Sequence, residues 1–267
     1  MTASPHRDLH AEVTGTGPSL VLLPPVGLGA WVWRPIAARL ARQRTVVAVD
    51  LPGFGSHSLP AGSPWTVERF TDAVADVIGT RWPDATGVAG VSLGGAIALE
   101  LARRSSVRHA VAVSPIGFWS RGEARYAVAS LRLTQGLARL SQPVRWRLAR
   151  SRTARALLLA QVVGAPRKVP ARAVVAMARD VADAPFAATL PHTGRYGFRP
   201  SPDIDRRVTV AWGTRDRLLP PRQARRAEAA LPAARHVKLP GAGHLPFWDT
   251  PAQLAALILD AAASSPP

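Results

Sequence analysis

At 267 residues, with 47% apolar and 19% charged side chains, the chain is long enough to bury one sizeable core and ordinary in composition for a globular protein. It has no cysteine, which excludes disulfides, thiolate metal sites and a cysteine nucleophile. The net charge of +17 rests on 32 arginines and two lysines, Lys168 and Lys238, and such a surface attracts nucleic acid, anionic membrane or acidic partners.

An excess of Arg, Ala and Pro also follows from GC-rich codon usage, so charge alone assigns no partner. The start of the chain, MTASPHRDLHAEV, has no apolar stretch after its charges, and no run is long enough to cross a bilayer. The expectation is a cytoplasmic protein with one domain carrying an insertion. From Leu9 to Val113 short β-branched runs alternate with helical periodicity, the pattern of βαβ units around a mainly parallel sheet. The runs are SLVLL (Ser19–Leu23), TVVAV (Thr45–Val49), GVAGV (Gly87–Val91) and HAVAV (His109–Val113). Between them WVWRPIAARLAR, TVERFTDAVADVIG and LGGAIALELARR carry apolar residues at helical spacing, and Thr66 is placed to cap the second.

Residues 115–205 break this rhythm. They are helical, Arg-rich and without convincing strands, and read as a cap inserted into a core of residues 1–114 and 206–267. Tyr126, Leu133, Leu137 and Leu140 fall on one helical face, and Arg125, Arg132 and Arg139 on another. Residues 121–180 hold 13 basic side chains against two acidic ones, Glu123 and Asp180. Strands are expected again at RVTVAW (Arg207–Trp212) and RHVKL (Arg235–Leu239), then a helix over Pro251–Ala262 and a frayed tail, AAASSPP.

The strongest chemical signal is GVSLGG, Gly90 to Gly95, between an apolar strand and an amphipathic helix. A G-x-S-x-G turn in that context forces the serine into strained backbone geometry and lifts its Oγ above the sheet edge. The same turn points the N–H of Leu93, at a helix N-terminus, toward a developing oxyanion. A serine needs a base, and the base needs an orienting acid. His6, His10 and His57 lie in terminal or loop segments and His109 opens a strand. His244, in LPGAGHLPFWDTP after the last strand, sits on a Gly-rich loop able to return over the C-terminal edge of the sheet. Asp216, in VAWGTRDRLLPP, follows the penultimate strand on the same side, whereas Asp203 and Asp205 precede that strand and would emerge at the wrong edge. Ser92, Asp216 and His244 thus follow the chain order Ser, Asp, His.

With these motifs the chain resembles the α/β-hydrolase superfamily over nearly its whole length. DLPGFGSHS (Asp50–Ser58) looks like that family's D-x-P-G-x-G-x-S loop after its fourth strand, and the cap falls at its usual insertion point after the sixth. VLLPPVGLGAWVW (Val21–Trp33) aligns with the loop that usually reads L-L-H-G-x, so the resemblance makes the Val26 N–H the second oxyanion donor. Pro24 and Pro25 replace the His-Gly pair without removing that N–H, and Pro25 fixes φ on entry to Val26. The implied fold is an eight-stranded-type, mainly parallel sheet flanked by helices. The implied chemistry is an acyl-enzyme on Ser92, with His244 as base and Asp216 orienting it.

The expected activity is hydrolysis of an ester, thioester or related acyl bond of a small apolar substrate. C–C bond hydrolysis, lactone hydrolysis, acyl transfer and non-catalytic ligand binding are alternatives open to the same fold. Trp31, Trp33, Phe118, Trp119 and Phe247 are candidates to line the substrate site. The basic cap admits a substrate carried on coenzyme A or an acidic carrier protein. No metal-ligand cluster, nicotinamide-binding fingerprint or nucleic-acid module is recognisable, so no cofactor, metal or nucleic-acid partner is expected.

Overall fold

The computed structural model describes residues 9–56, 58–59, 64–200, 204 and 208–263. His6, His57, Asp203, Asp205, Arg207 and the last four residues of the tail, named above, lie outside that set. The strands are β1 (Ala11–Thr14), β2 (Ser19–Leu23), β3 (Thr45–Val49), β4 (Gly87–Val91), β5 (His109–Val113), β6 (Val208–Gly213) and β7 (Arg235–Leu239). They form one sheet in the order β1-β3-β2-β4-β5-β6-β7. Among the described residues only the β1–β3 pair is antiparallel. Among the described residues the sheet therefore has seven strands, one fewer than the resemblance implies, and the family's positions after strands four and six fall here after β3 and β5. The short edge strand β1 carries no alternation that a pattern search could find, because two of its four residues are exposed and none is buried.

The helices are α1 (Arg34–Leu40), α2 (Val67–Arg81), α3 (Leu93–Arg103), α4 (Arg121–Ala138), α5 (Gln142–Arg150), α6 (Arg152–Leu158), α7 (Ala171–Asp183), α8 (Phe186–Thr193), α9 (Arg222–Ala230) and α10 (Pro251–Ala263). The central strands are buried on both sides, so successive residues supply opposite cores. Val21, Leu23, Val47 and Val49 pack with α2, α3 and α9. Leu20, Leu22, Val46 and Ala48 pack with α1 and α10, in a core that also takes in Ala149, Val174 and Met177 from the helices that follow β5. Each fully buried Val or Leu in these layers contributes about 1.5–3 kcal/mol. The Thr66 hydroxyl accepts the N–H of Arg69 at 3.3 Å and caps α2 as its sequence position implies. Helix α9 escapes the periodicity pattern because its only fully buried side chains are Gln223 and Ala227.

Helices α4 to α8 all lie between β5 and β6. A capping box starts α4: the Ser120 hydroxyl accepts the Glu123 N–H, and the Glu123 carboxylate accepts the Ser120 N–H at 2.7 Å. That carboxylate also accepts from Arg222 and Arg226 of α9, fastening the start of the helical segment to the sheet-flanking layer. Among the described residues no helix is long and apolar enough to cross a membrane.

Candidate active site

Ser92 stands between β4 and α3 with φ 59° and ψ −113°, in the left-handed region that side chains other than glycine rarely occupy. The surroundings hold it there. Its N–H donates to the Val113 carbonyl at 2.9 Å, and its carbonyl accepts from Ala96 and Ile116. The flanking glycines are needed for close approach: a Cβ on Gly90 would collide with the Gly94 carbonyl, and a Cβ on Gly94 would meet the Leu23 carbonyl and lie 2.7 Å from the Pro24 oxygen. The elbow is thereby pressed against the Pro24–Pro25 loop.

Both proline bonds are trans. The loop turns immediately afterwards, with the Leu28 N–H donating to the Pro25 carbonyl at 3.3 Å and Gly27 at φ 82°. Val26 and Leu93 both border the space beside Ser92, and among the described residues neither N–H has an acceptor. Two carboxylates hold the next turn. The Gly29 N–H (3.0 Å) and the Trp31 indole N–H (2.6 Å) donate to Asp180 Oδ2, and the Ala30 N–H donates to Asp50 Oδ1 at 2.6 Å. Burial pushes the Asp180 carboxyl upward from its ordinary pKa, the two donated bonds and Arg179 work against that, and Asp50 adds to it.

Asp216 and His244 meet on the loops after β6 and β7. His244 Nδ1 lies 2.8 Å from Asp216 Oδ2, and both side chains are buried. Asp216 Oδ1 accepts the N–H groups of Leu218 (3.0 Å) and Leu219 (2.8 Å), so the whole carboxylate is committed. A carboxylate only accepts, which makes Nδ1 the protonated nitrogen and leaves Nε2 for the cavity that His244 lines together with Ser92. The segment between α6 and α7 grips both loops: Gln161 accepts from the Arg217 N–H, Val162 accepts from the Leu245 N–H at 2.7 Å, and Asp249 accepts from Gly164, Ala165 and Gly243.

The aromatic candidates separate. Trp119 borders the space next to Ser92. Trp31 faces a different groove, with Arg34, Arg172 and Trp248. Phe118 packs on Phe198, and Phe247 packs edge-on against Trp33 with ring centroids 4.9 Å apart, both within the cores. Besides Trp119, the walls of the site come from aliphatic side chains of the helical segment, among them Val128, Leu131, Val181 and Leu190. Their only sequence signal was the apolar stripe of each helix, which does not say what the stripe faces. Among the described residues no three His, Asp or Glu side chains group as metal ligands.

Residues 20–257 match the Alpha/beta hydrolase family. The chain is similar to the pimeloyl-acyl-carrier-protein methyl ester esterases of Aromatoleum aromaticum (31% identical, covering 91% of this chain and 97% of that protein) and Nitrosomonas europaea (28%, 92% and 96%). Among solved structures, a thermophilic esterase from Thermogutta terrifontis superposes with a TM-score of 0.75 at 19% identity, covering 96% of this chain and 93% of that one. The enol-lactonase from Burkholderia xenovorans superposes with a TM-score of 0.73 at 21% identity, covering 96% of each chain.

Proposed function

The chain belongs to the alpha/beta hydrolase family as an esterase-type hydrolase, and from that premise we propose that it cleaves a carboxylic ester or thioester through an acyl-enzyme on Ser92. The observation that carries this reading is the buried His244–Asp216 bond of 2.8 Å beside the cavity that Ser92 enters. His244 Nε2 takes the Ser92 proton as Oγ attacks the carbonyl carbon. The oxyanion forms against the N–H groups of Val26 and Leu93, and Asp216 stabilises the imidazolium. Collapse expels the alcohol or thiol, which leaves with the proton from Nε2. A water deprotonated by His244 then attacks the acyl-enzyme, and the acid departs. Helices α4 to α8, within residues 115–205, serve as the cap that keeps bulk water from this sequence.

Replacing Ser92 tests the reading. Ser92→Ala is expected to abolish turnover of p-nitrophenyl acetate and labelling by a serine-directed phosphonate, both present in the parent protein. Retained turnover in purified, folded Ser92→Ala would overturn it. Repeated product release separates an enzyme from a receptor, which would retain its ligand after one slow event.

The basic side chains of residues 121–180 favour one extension, a substrate delivered on coenzyme A or an acidic carrier protein, in keeping with the carrier-bound ester that the similar esterases are named for. Rates on a carrier thioester should then fall more steeply with salt than rates on a neutral ester. Equal salt dependence would remove the extension and leave the esterase reading intact.

A further inference from the structure

Two unequal spaces meet at Ser92, sharing Val26, Ser92, Leu131 and Leu218. One is a pocket of about 20 Å³ closed by Trp119, Val128, Leu190 and Leu219, with Leu93 on its wall. On the scale by which a water needs roughly 10–15 Å³, it holds one group the size of a methyl. The other is an apolar cavity of about 210 Å³ that runs outward to Leu137, Leu140 and Leu158, which are 49%, 40% and 43% exposed and mark its mouth. His244 lines the large cavity and not the small pocket.

That asymmetry gives the site a direction. The tetrahedral carbon on Ser92 carries the serine oxygen, the oxyanion, the acyl substituent and the leaving oxygen. The oxyanion is taken up by the N–H groups of Val26 and Leu93. When the carbon–oxygen bond to the leaving group breaks, its electron pair stays on that oxygen, which must collect the proton held on His244 Nε2. The leaving group therefore departs through the space His244 borders, the large one. The acyl substituent is left with the small pocket.

We propose that the preferred substrates join a short acyl group, acetyl in size, to a long apolar alcohol or thiol. The assignment rests on the Ser92 reading above and adds the polarity of the bond. A short acyl group on a long thiol arm satisfies it as well as a simple ester does, whereas a carrier-bound acyl methyl ester, the kind the similar esterases are named for, has the reverse polarity.

The test is a pair of isomers of reversed polarity, octyl acetate and methyl nonanoate, which present the same atoms and nearly the same apolar surface. The kcat/KM for octyl acetate is expected to exceed that for methyl nonanoate by at least about tenfold. Equal values, or a preference for methyl nonanoate, would overturn the proposal. Val128→Ala, which widens only the small pocket and removes a half-buried side chain, should raise octyl butanoate relative to octyl acetate by about tenfold; an unchanged ratio counts against it. Phosphonate labelling keeps the two levels apart. A protein that labels at Ser92 and prefers methyl nonanoate loses the polarity alone, and one that neither labels nor hydrolyses either ester loses the Ser92 reading and the polarity with it.

Discussion

The carboxylate of Asp180, on helix α7, accepts the indole N–H of Trp31 at 2.6 Å and so ties the helical segment to the loop that presents Val26. The same oxygen also holds the Gly29 N–H. Asp180→Ala leaves the buried Gly29 N–H without an acceptor, at a cost of about 1–3 kcal/mol, and the part-buried Trp31 indole N–H as well, at less. The expected result is a lower Tm together with a fall in kcat of up to about a hundredfold, since misplacing the proposed oxyanion donor, the Val26 N–H, by an ångström has that effect. KM should change less. A thermal melt and steady-state kinetics on p-nitrophenyl acetate check both.

Asp216→Asn keeps an acceptor for the Leu218 and Leu219 N–H groups but turns an amide N–H₂ toward His244 Nδ1. The imidazole must then carry its proton on Nε2, where it cannot receive one from Ser92. A drop of about 10³–10⁴ in kcat is expected, with the fold retained. Circular dichroism alongside the kinetics separates this outcome from unfolding.

Gly94→Ala would improve helix propensity by about 1 kcal/mol at an open position. Here the new methyl meets the carbonyls of Leu23 and Pro24, so the substitution should destabilise by about 1–3 kcal/mol instead. Denaturant titration gives the sign. Stabilisation would mean that the elbow and the proline loop are not in contact.

His109 is buried with neither ring nitrogen bonded among the described residues. Burial first, then Arg44, depresses its pKa from 6.5 to about 4. The folded protein therefore binds fewer protons than the unfolded chain between those values. Stability is full above pH 6.5 and declines as pH falls toward 4, by about 3 kcal/mol for this group. His109→Leu should flatten that acid limb in urea titrations taken across pH 4 to 7, and an unchanged slope would show that His109 does not set it.

Some of this was written locally in the chain and some was not. The strand-to-helix turn that carries Ser92, the proposed nucleophile, was legible because its requirement, small residues around one serine between strand and helix, is confined to six positions, Gly90 to Gly95. The loops of Asp216 and His244 were legible because each directly follows a strand end. Of the aromatic candidates only Trp119 borders the space beside Ser92. Phe247 stands three residues from His244, yet its ring turns to Trp33, and a position on a loop does not reveal which side its side chain faces. Asp180 gave only the hint of a lone acid on a strongly basic segment, because both of its hydrogen-bond donors lie about 150 positions earlier.

Every residue of α3 from Leu93 to Ala102 is buried, unlike the amphipathic helices around it. The serine is therefore mounted on the least accessible helix among the described residues, whereas the loop of Val26 depends on two bonds to Asp180 of α7 and one to Asp50. Amide hydrogen exchange along α3 should proceed only through global unfolding, and exchange at Gly29 should proceed through a smaller local opening. On gradual heating, hydrolysis would then fade before Ser92 loses its setting, and a cooled sample would regain activity as long as α3 had never opened.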